Sequence, residues 1–200
     1  MKILKYILFI IIGLTVAFFA AGLLKPSVSY GHEFKVDKPI EEAWAVSQDR
    51  TKFKQWLKGF ESIELISGKQ NEVGSKYKVV VKPSEDEDPF EMIQTLIDYK
   101  EFESVTLHFD SDIMNFEQTI SYGNADKLTS VKSDSKVIGK NLMSRSLFAV
   151  MEMLTGSFSA QETENFENLK KLIEANTTDY YPTPINVEDV GPTEESDTTE

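Results

Sequence analysis

Hydrophobic and polar positions change period several times along the chain, and each change predicts an element. From Tyr6 to Leu24 nineteen residues run without a charge, and all but Gly13, Thr15 and Gly22 are apolar. At about 1.5 Å rise per residue such a helix covers roughly 28 Å, close to the ~30 Å thickness of a bilayer's hydrocarbon core. A cleaved signal peptide is the competing reading. Its apolar region is typically about 7 to 15 residues long and ends at a small-x-small site, whereas here only Ala20-Ala21-Gly22 resembles one, inside the apolar run. Residues 1–25 are therefore expected to be an uncleaved anchor, with residues 6–24 in the membrane. Lys2 and Lys5 precede the span and Lys25, Lys35 and Lys38 follow it, so the charge bias is small. The short N-terminal stub is expected inside, which places the soluble domain on the non-cytoplasmic side of a single-pass protein.

Beyond the span the period becomes two. Tyr30, His32, Phe34 and Val36 alternate with Gly31, Glu33 and Lys35, as a strand with one buried face requires. Pro39 suits the start of a helix, and Glu41 and Glu42 favour its positive end. A second short helix holds Phe53, Trp56 and Leu57 and stops at Gly59. Six further strands are expected within Ser62–Ser67, Ser75–Lys82, Phe90–Tyr99, Ser104–Phe109, Met114–Tyr122 and Lys127–Val137. All but the last alternate in part. The two prolines and four consecutive acids between Lys82 and Phe90 make that stretch a loop. Leu147, Met151, Leu154, Phe158, Phe166, Leu169 and Ile173 then recur mostly at helical steps, with Gly139 and Gly156 as possible interruptions. Such a helix is a natural cover for the apolar face of an antiparallel sheet.

Charge and composition narrow the function. The net charge of -12 divides into +3 over residues 1–25, -8 over the middle and -7 over residues 177–200. An acidic middle without a basic run argues against nucleic acid, whose binding needs clustered Lys and Arg. The absence of cysteine removes disulfides, thiolate metal sites and a Cys nucleophile, and His32 and His108 are the only histidines. No metal site and no cofactor is expected. The acidic run Glu85–Asp88 lacks the oxygen spacing of a calcium loop and reads as solvated. Residues 177–200, rich in Pro, Thr and acid, are expected to be a disordered acidic tail. The triplet Asn176-Thr177-Thr178 fits a glycosylation acceptor, a pattern common by chance.

A resemblance emerges from particular residues. Lys38-Pro39-Ile40-Glu41-Glu42-Ala43-Trp44, then Asp49, Phe53-Lys54-Gln55-Trp56, a turn at Gly68 and Gly74-Ser75-Lys76-Tyr77 resemble the opening of the SRPBCC, or START/Bet v 1-like, superfamily of polyketide cyclase/dehydrase and lipid-transport type. The segment Phe166-Glu167-Asn168-Leu169-Lys170-Lys171-Leu172-Ile173-Glu174 is similar to its terminal helix. The resemblance spans residues 29–176. It implies an α+β helix-grip fold, a seven-stranded antiparallel sheet wrapped around a long C-terminal helix and an elongated apolar cavity, and it leaves chemistry open.

The inward positions supply the candidate ligand-binding residues: His32, Phe34, Tyr77, Val79, Leu107, Phe109, Phe116, Gln118, Phe158, Glu162 and Asn165. Trp44 and Trp56 read as core anchors, and His108 points with Thr106 and Asp110 to the outer face. His32 is either a satisfied core histidine or a ligand contact. Glu162 falls on the apolar face if the last helix runs unbroken through Gly156; a phase shift there turns it to water. Three functions fit. The first is a membrane-anchored, non-catalytic binding domain for an apolar small molecule or lipid. The second is a cyclase or dehydratase using His32 and Glu162 as an acid–base pair. The third is a protein-interaction module whose pocket is collapsed by its own phenylalanines.

Overall fold

The computed structural model describes residues 2–82, 86 and 88–182. The expected loop through Glu85–Asp88 falls partly outside the described residues, and residues 183–200 of the expected tail fall wholly outside them. Helix α1 (Lys2–Leu24) is followed by strand β1 (Ser27–Val36), α2 (Ile40–Gln48), a turn of 3₁₀ helix at Arg50–Lys52 and α3 (Phe53–Trp56). Strands β2 (Phe60–Ser67), β3 (Lys76–Val81), β4 (Phe90–Lys100), β5 (Ser104–Asp110), β6 (Met114–Ala125) and β7 (Leu128–Gly139) come next. Helices α4 (Leu142–Thr155) and α5 (Ser157–Glu174) complete the order.

The strands form one antiparallel sheet in the order β1-β7-β6-β5-β4-β3-β2. The first two strands of the chain lie at opposite edges, so the pair α2–α3 carries the chain from one edge to the other. That is why a helix pair interrupts an otherwise sequential meander. Its anchor is Trp44, 3% exposed, whose ring meets those of Tyr99, Phe102 and Tyr122 edge-on at 5.3, 6.1 and 5.0 Å. Phe102 holds a left-handed backbone (φ 64°) in the β4–β5 turn, a conformation that a bulky residue adopts at a cost. Its packing on Trp44 and on Tyr181, at 5.9 Å, offsets that cost.

The final helix is broken. Gly156 adopts φ 60° and ends α4 with its N–H on the Glu152 carbonyl, 2.9 Å away, as a left-handed glycine does at a helix end. α5 restarts with its own phase and turns Glu162, Asn165, Phe166, Leu169 and Ile173 inward. Leu147, Met151 and Leu154 of α4 are thereby exposed rather than sharing that buried face.

Residues after α5 also touch the domain. Asn176 is 7% exposed, and its amide donates to Glu42 Oε1 at 2.8 Å and accepts from Lys52 Nζ at 3.0 Å, so it joins α5 to α2. An amide held in this way is a structural tie and is poorly placed to accept a glycan. Tyr180 donates to Asp49 Oδ2 at 2.8 Å, which fastens the first residues of the expected tail. The Tyr180 ring packs on the main core cluster, and the Tyr181 ring meets Phe102 at 5.9 Å.

Truncating Trp44→Ala is expected to cost about 3–5 kcal/mol of stability, measured by denaturant unfolding of the full chain. Acid should weaken the α2–Asn176 junction. Burial opposes ionisation of Glu42 and Asp49, but hydrogen bonds from Asn176 and Lys38, and from Thr51 and Tyr180, outweigh it and hold both carboxyls below their ordinary values of 4.5 and 3.8. A carboxyl depressed by folding contributes stability that is complete above its unfolded value and lost as pH falls through the folded one. Melting temperature should therefore drop below about pH 4.5, with a shallower fall in Glu42→Gln. Equal pH profiles would deny Glu42 this role.

Candidate functional site

The inner face of the sheet is incompletely filled. The C-terminal half of α5 places Phe166, Leu169 and Ile173 in one solid cluster with Phe34, Val36, Trp44, Trp56 and Val131. Two smaller clusters, Val28, Val137 and Phe148, and Val79, Met92 and Phe109, stand apart from it. A small domain usually has one contiguous core. Here the three groups border a cavity of about 310 Å³.

Alternation within the strands builds its walls. Val79 on β3, Met92 and Gln94 on β4, Leu107 and Phe109 on β5, Phe116 and Gln118 on β6, and Val137 on β7 all face it. Phe158, Gln161, Glu162 and Asn165, at steps of three, one and three residues, bring one face of α5 to the opposite side. α2 and α3 close an end with Ser47, Phe53 and Trp56. The phenylalanines line the hollow without filling it: Phe109 stacks on Phe116 at 5.1 Å, and Tyr30 lies between Phe116 at 6.5 Å and Phe158 at 5.7 Å. Trp56, Leu57, Lys58 and Phe60 also border a shallow outer depression of about 500 Å³. These four residues separate the interior from the surface.

The polar centre is Glu162, 5% exposed. Gln118 Nε2 donates to its two oxygens at 3.0 and 3.2 Å, and Ser135 Oγ donates to Oε1 at 2.9 Å. All three bonds come from neutral donors, and Glu162 has no ion pair among the described residues. Burial, and then the charges of Glu162 and Glu152, push the Tyr30 hydroxyl far above its ordinary value, leaving a neutral phenol on the wall. Burial likewise pushes the Tyr122 hydroxyl up to about 12, where it shares a hydrogen bond with Ser47. Trp56 is 4% exposed, and its indole N–H has no acceptor among the described residues. The site therefore offers a buried carboxylate and apolar walls. These features suit binding of a molecule with one polar end.

Eight of the residues expected from the sequence meet at this cavity: Val79, Leu107, Phe109, Phe116, Gln118, Phe158, Glu162 and Asn165. Three do not. His32 leans toward the outer side of α5, its Nε2 3.1 Å from Glu167 Oε1, so it and Glu162 take separate partners and form no acid–base pair. Phe34 packs on Phe166 at 6.2 Å inside the solid cluster. Tyr77, 1% exposed, is covered by the Arg50 guanidinium 4.3 Å above its ring. His108, expected on the outer face, is half-buried there. Trp56 belongs to the wall as well as to the core. Ser135 was concealed because β7 carries serines at its inward positions 133 and 135. Continuing the period-two pattern from Val131 to Val137 would have exposed it.

No protein-family model matches the sequence, and no curated protein matches it either. Solved structures do match in shape. Ara h 8.0201 superposes with a TM-score of 0.57 at 13% identity, covering 75% of this chain and 99% of its own. A conserved protein from Geobacillus kaustophilus gives 0.57 at 17%, covering 73% and 95%. The di-domain ARO/CYC StfQ from the steffimycin biosynthetic pathway gives 0.58 at 7%, covering 75% of this chain and 52% of its own. At these identities the likeness establishes the fold alone: residues from β1 to α5 form an α+β helix-grip domain.

Proposed function

We propose that this chain is a membrane-anchored, non-catalytic binding protein for an apolar molecule or lipid that carries one hydrogen-bond-donating group. The observation that carries the reading is Glu162, a buried carboxylate held by neutral donors at the wall of an apolar cavity of about 310 Å³. If left dry, a hollow of that size would cost about 7 kcal/mol at ~24 cal/mol per Å³. A domain's whole stability is only about 5–15 kcal/mol. A guest removes that cost, and a hydroxyl or amine on the guest adds a donor to the carboxylate. The volume lies at the low end of the ~300–1,000 Å³ typical of ligand pockets, which suits a ring system or a single chain.

The anchor supports a lipidic source. α1 is 23 residues long and holds an 18-residue stretch with a mean hydropathy of 2.8, long and apolar enough to cross a membrane. Only Lys25 and Pro26 separate it from β1, so the domain would sit against the bilayer, where apolar ligands concentrate. The cyclase alternative depends on a His32–Glu162 pair, and the separate partners of these side chains give it no support. The cavity similarly weighs against an interaction module with a collapsed interior.

A matched pair of probes tests the reading on the full chain in phosphatidylcholine nanodiscs. 2-Naphthol should raise the melting temperature more than naphthalene, because a hydrogen bond to a buried charge contributes about 1.5–3 kcal/mol. That corresponds to roughly 10- to 100-fold in affinity. In Glu162→Gln the difference between the probes should shrink. Failure of both molecules to bind, or equal responses in the native chain, would contradict the proposal.

A further inference from the structure

Helix α4 has two apolar faces where a domain surrounded by water needs one. Its inner face sets Phe148, 7% exposed, against Val28 and Val137, with Ala149 at 3% exposed. Its outer face carries Met143, Leu147, Met151 and Leu154, which are 58, 45, 38 and 72% exposed. At about 100° per residue these four fall within an arc of about 80°. The helix's two charged side chains lie on the opposite side and are engaged with neighbouring backbone. Arg145 Nε donates to the Gly139 carbonyl at 2.8 Å, and Glu152 accepts from the Phe158 N–H at 2.9 Å. The outer stripe is left without a charge.

The stripe adjoins α1. α4 packs along the C-terminal turns of that helix, where Gly22 lies so close to Ser146 that a Cβ would come within 2.3 Å of its Oγ. Phe18–Gly22 are the covered part of α1, while Ile3–Val16 are exposed. The apolar run continues to Leu24, so α4 shields residues that a bilayer would otherwise surround. Phe18 lies six residues before Leu24, or about 9 Å along the axis. An interfacial helix buries its apolar face about 5–10 Å into the boundary of headgroups and acyl chains. The two depths agree.

We propose that α4 is a second membrane-contacting element, with Met143, Leu147, Met151 and Leu154 immersed in the lipid beside α1. The inference rests on the anchor reading of α1. Lipid is the occupant because the stripe is continuous with the exposed apolar surface of α1 and offers no side-chain hydrogen bond or charge to orient a protein partner. Flexible methionines at two of its four positions suit a fluid surface.

The chain has no cysteine, so single labels can be placed without background. Leu147→Cys, Met151→Cys, Leu14→Cys in α1 and Gln70→Cys in the β2–β3 turn would each carry a nitrobenzoxadiazole fluorophore. The full chain is then reconstituted in phosphatidylcholine vesicles with and without nitroxide-bearing acyl chains. Labels at 147, 151 and 14 should emit to the blue and lose most of their intensity to the nitroxide lipid, and the label at 70 should do neither. Quenching at 14 with water-like emission at 147 and 151 would overturn the α4 proposal while leaving the anchor intact. Blue emission at 147 and 151 without quenching would mean that protein covers the stripe, which also overturns it. An unquenched label at 14 would refute the anchor, and this inference with it.

Discussion

The apolar inner face of the seven-stranded sheet must be kept from water, and α5 fills only part of it. Where Phe166, Leu169 and Ile173 meet Trp44 and Trp56 the interior is solid. Where the same helix presents Phe158, Glu162 and Asn165 it is hollow. The distribution of large and polar side chains along one helix thus divides the domain into a part that supplies stability and a part that can accept a guest. The α2–α3 pair and the Asn176 tie stand at the solid end, bracing the frame from which the hollow end is built.

The hollow end is also the electrostatically demanding one. A buried carboxylate without a cation loses hydration that Gln118 and Ser135 replace only with neutral dipoles. Such an arrangement persists when neighbouring packing supplies the stability or when a bound molecule adds further donors. His32, the other ionisable group expected inside, escapes this constraint by pairing with Glu167 at the half-exposed edge of α5. The fold shared with these solved structures fixes none of this chemistry, which resides in the few polar side chains that this sequence places on its walls.

Much of the architecture was legible because burial imposes period two on strands and a three- or four-residue step on helices. Tyr30 to Val36 and Met114 to Tyr122 declared their inward faces directly, and Gln118 was found through its phase with Phe116 and Ile120. The pattern became silent where polar side chains take inward positions, as Ser133 and Ser135 do on β7. It was ambiguous at Gly156: the break in the helix is real, yet the new phase of α5 still buries Glu162, since helical phase is set by contacts with the sheet. Composition also gave no sign that Tyr180 and Tyr181, within the expected tail, meet Asp49 and Phe102, since no local pattern announces such partners. Which ionisable groups pair depends on distances between elements far apart in sequence, as between His32 and Glu167.

The central claim is that the hollow half of the domain holds a small guest in the protein's native setting. Native mass spectrometry of the full 22.7 kDa chain, released directly from its own membrane, addresses this most directly. The account predicts a population heavier than the bare chain by the mass of one small molecule that dissociates on collisional activation. A spectrum containing only the bare chain, with the fold intact, would contradict it.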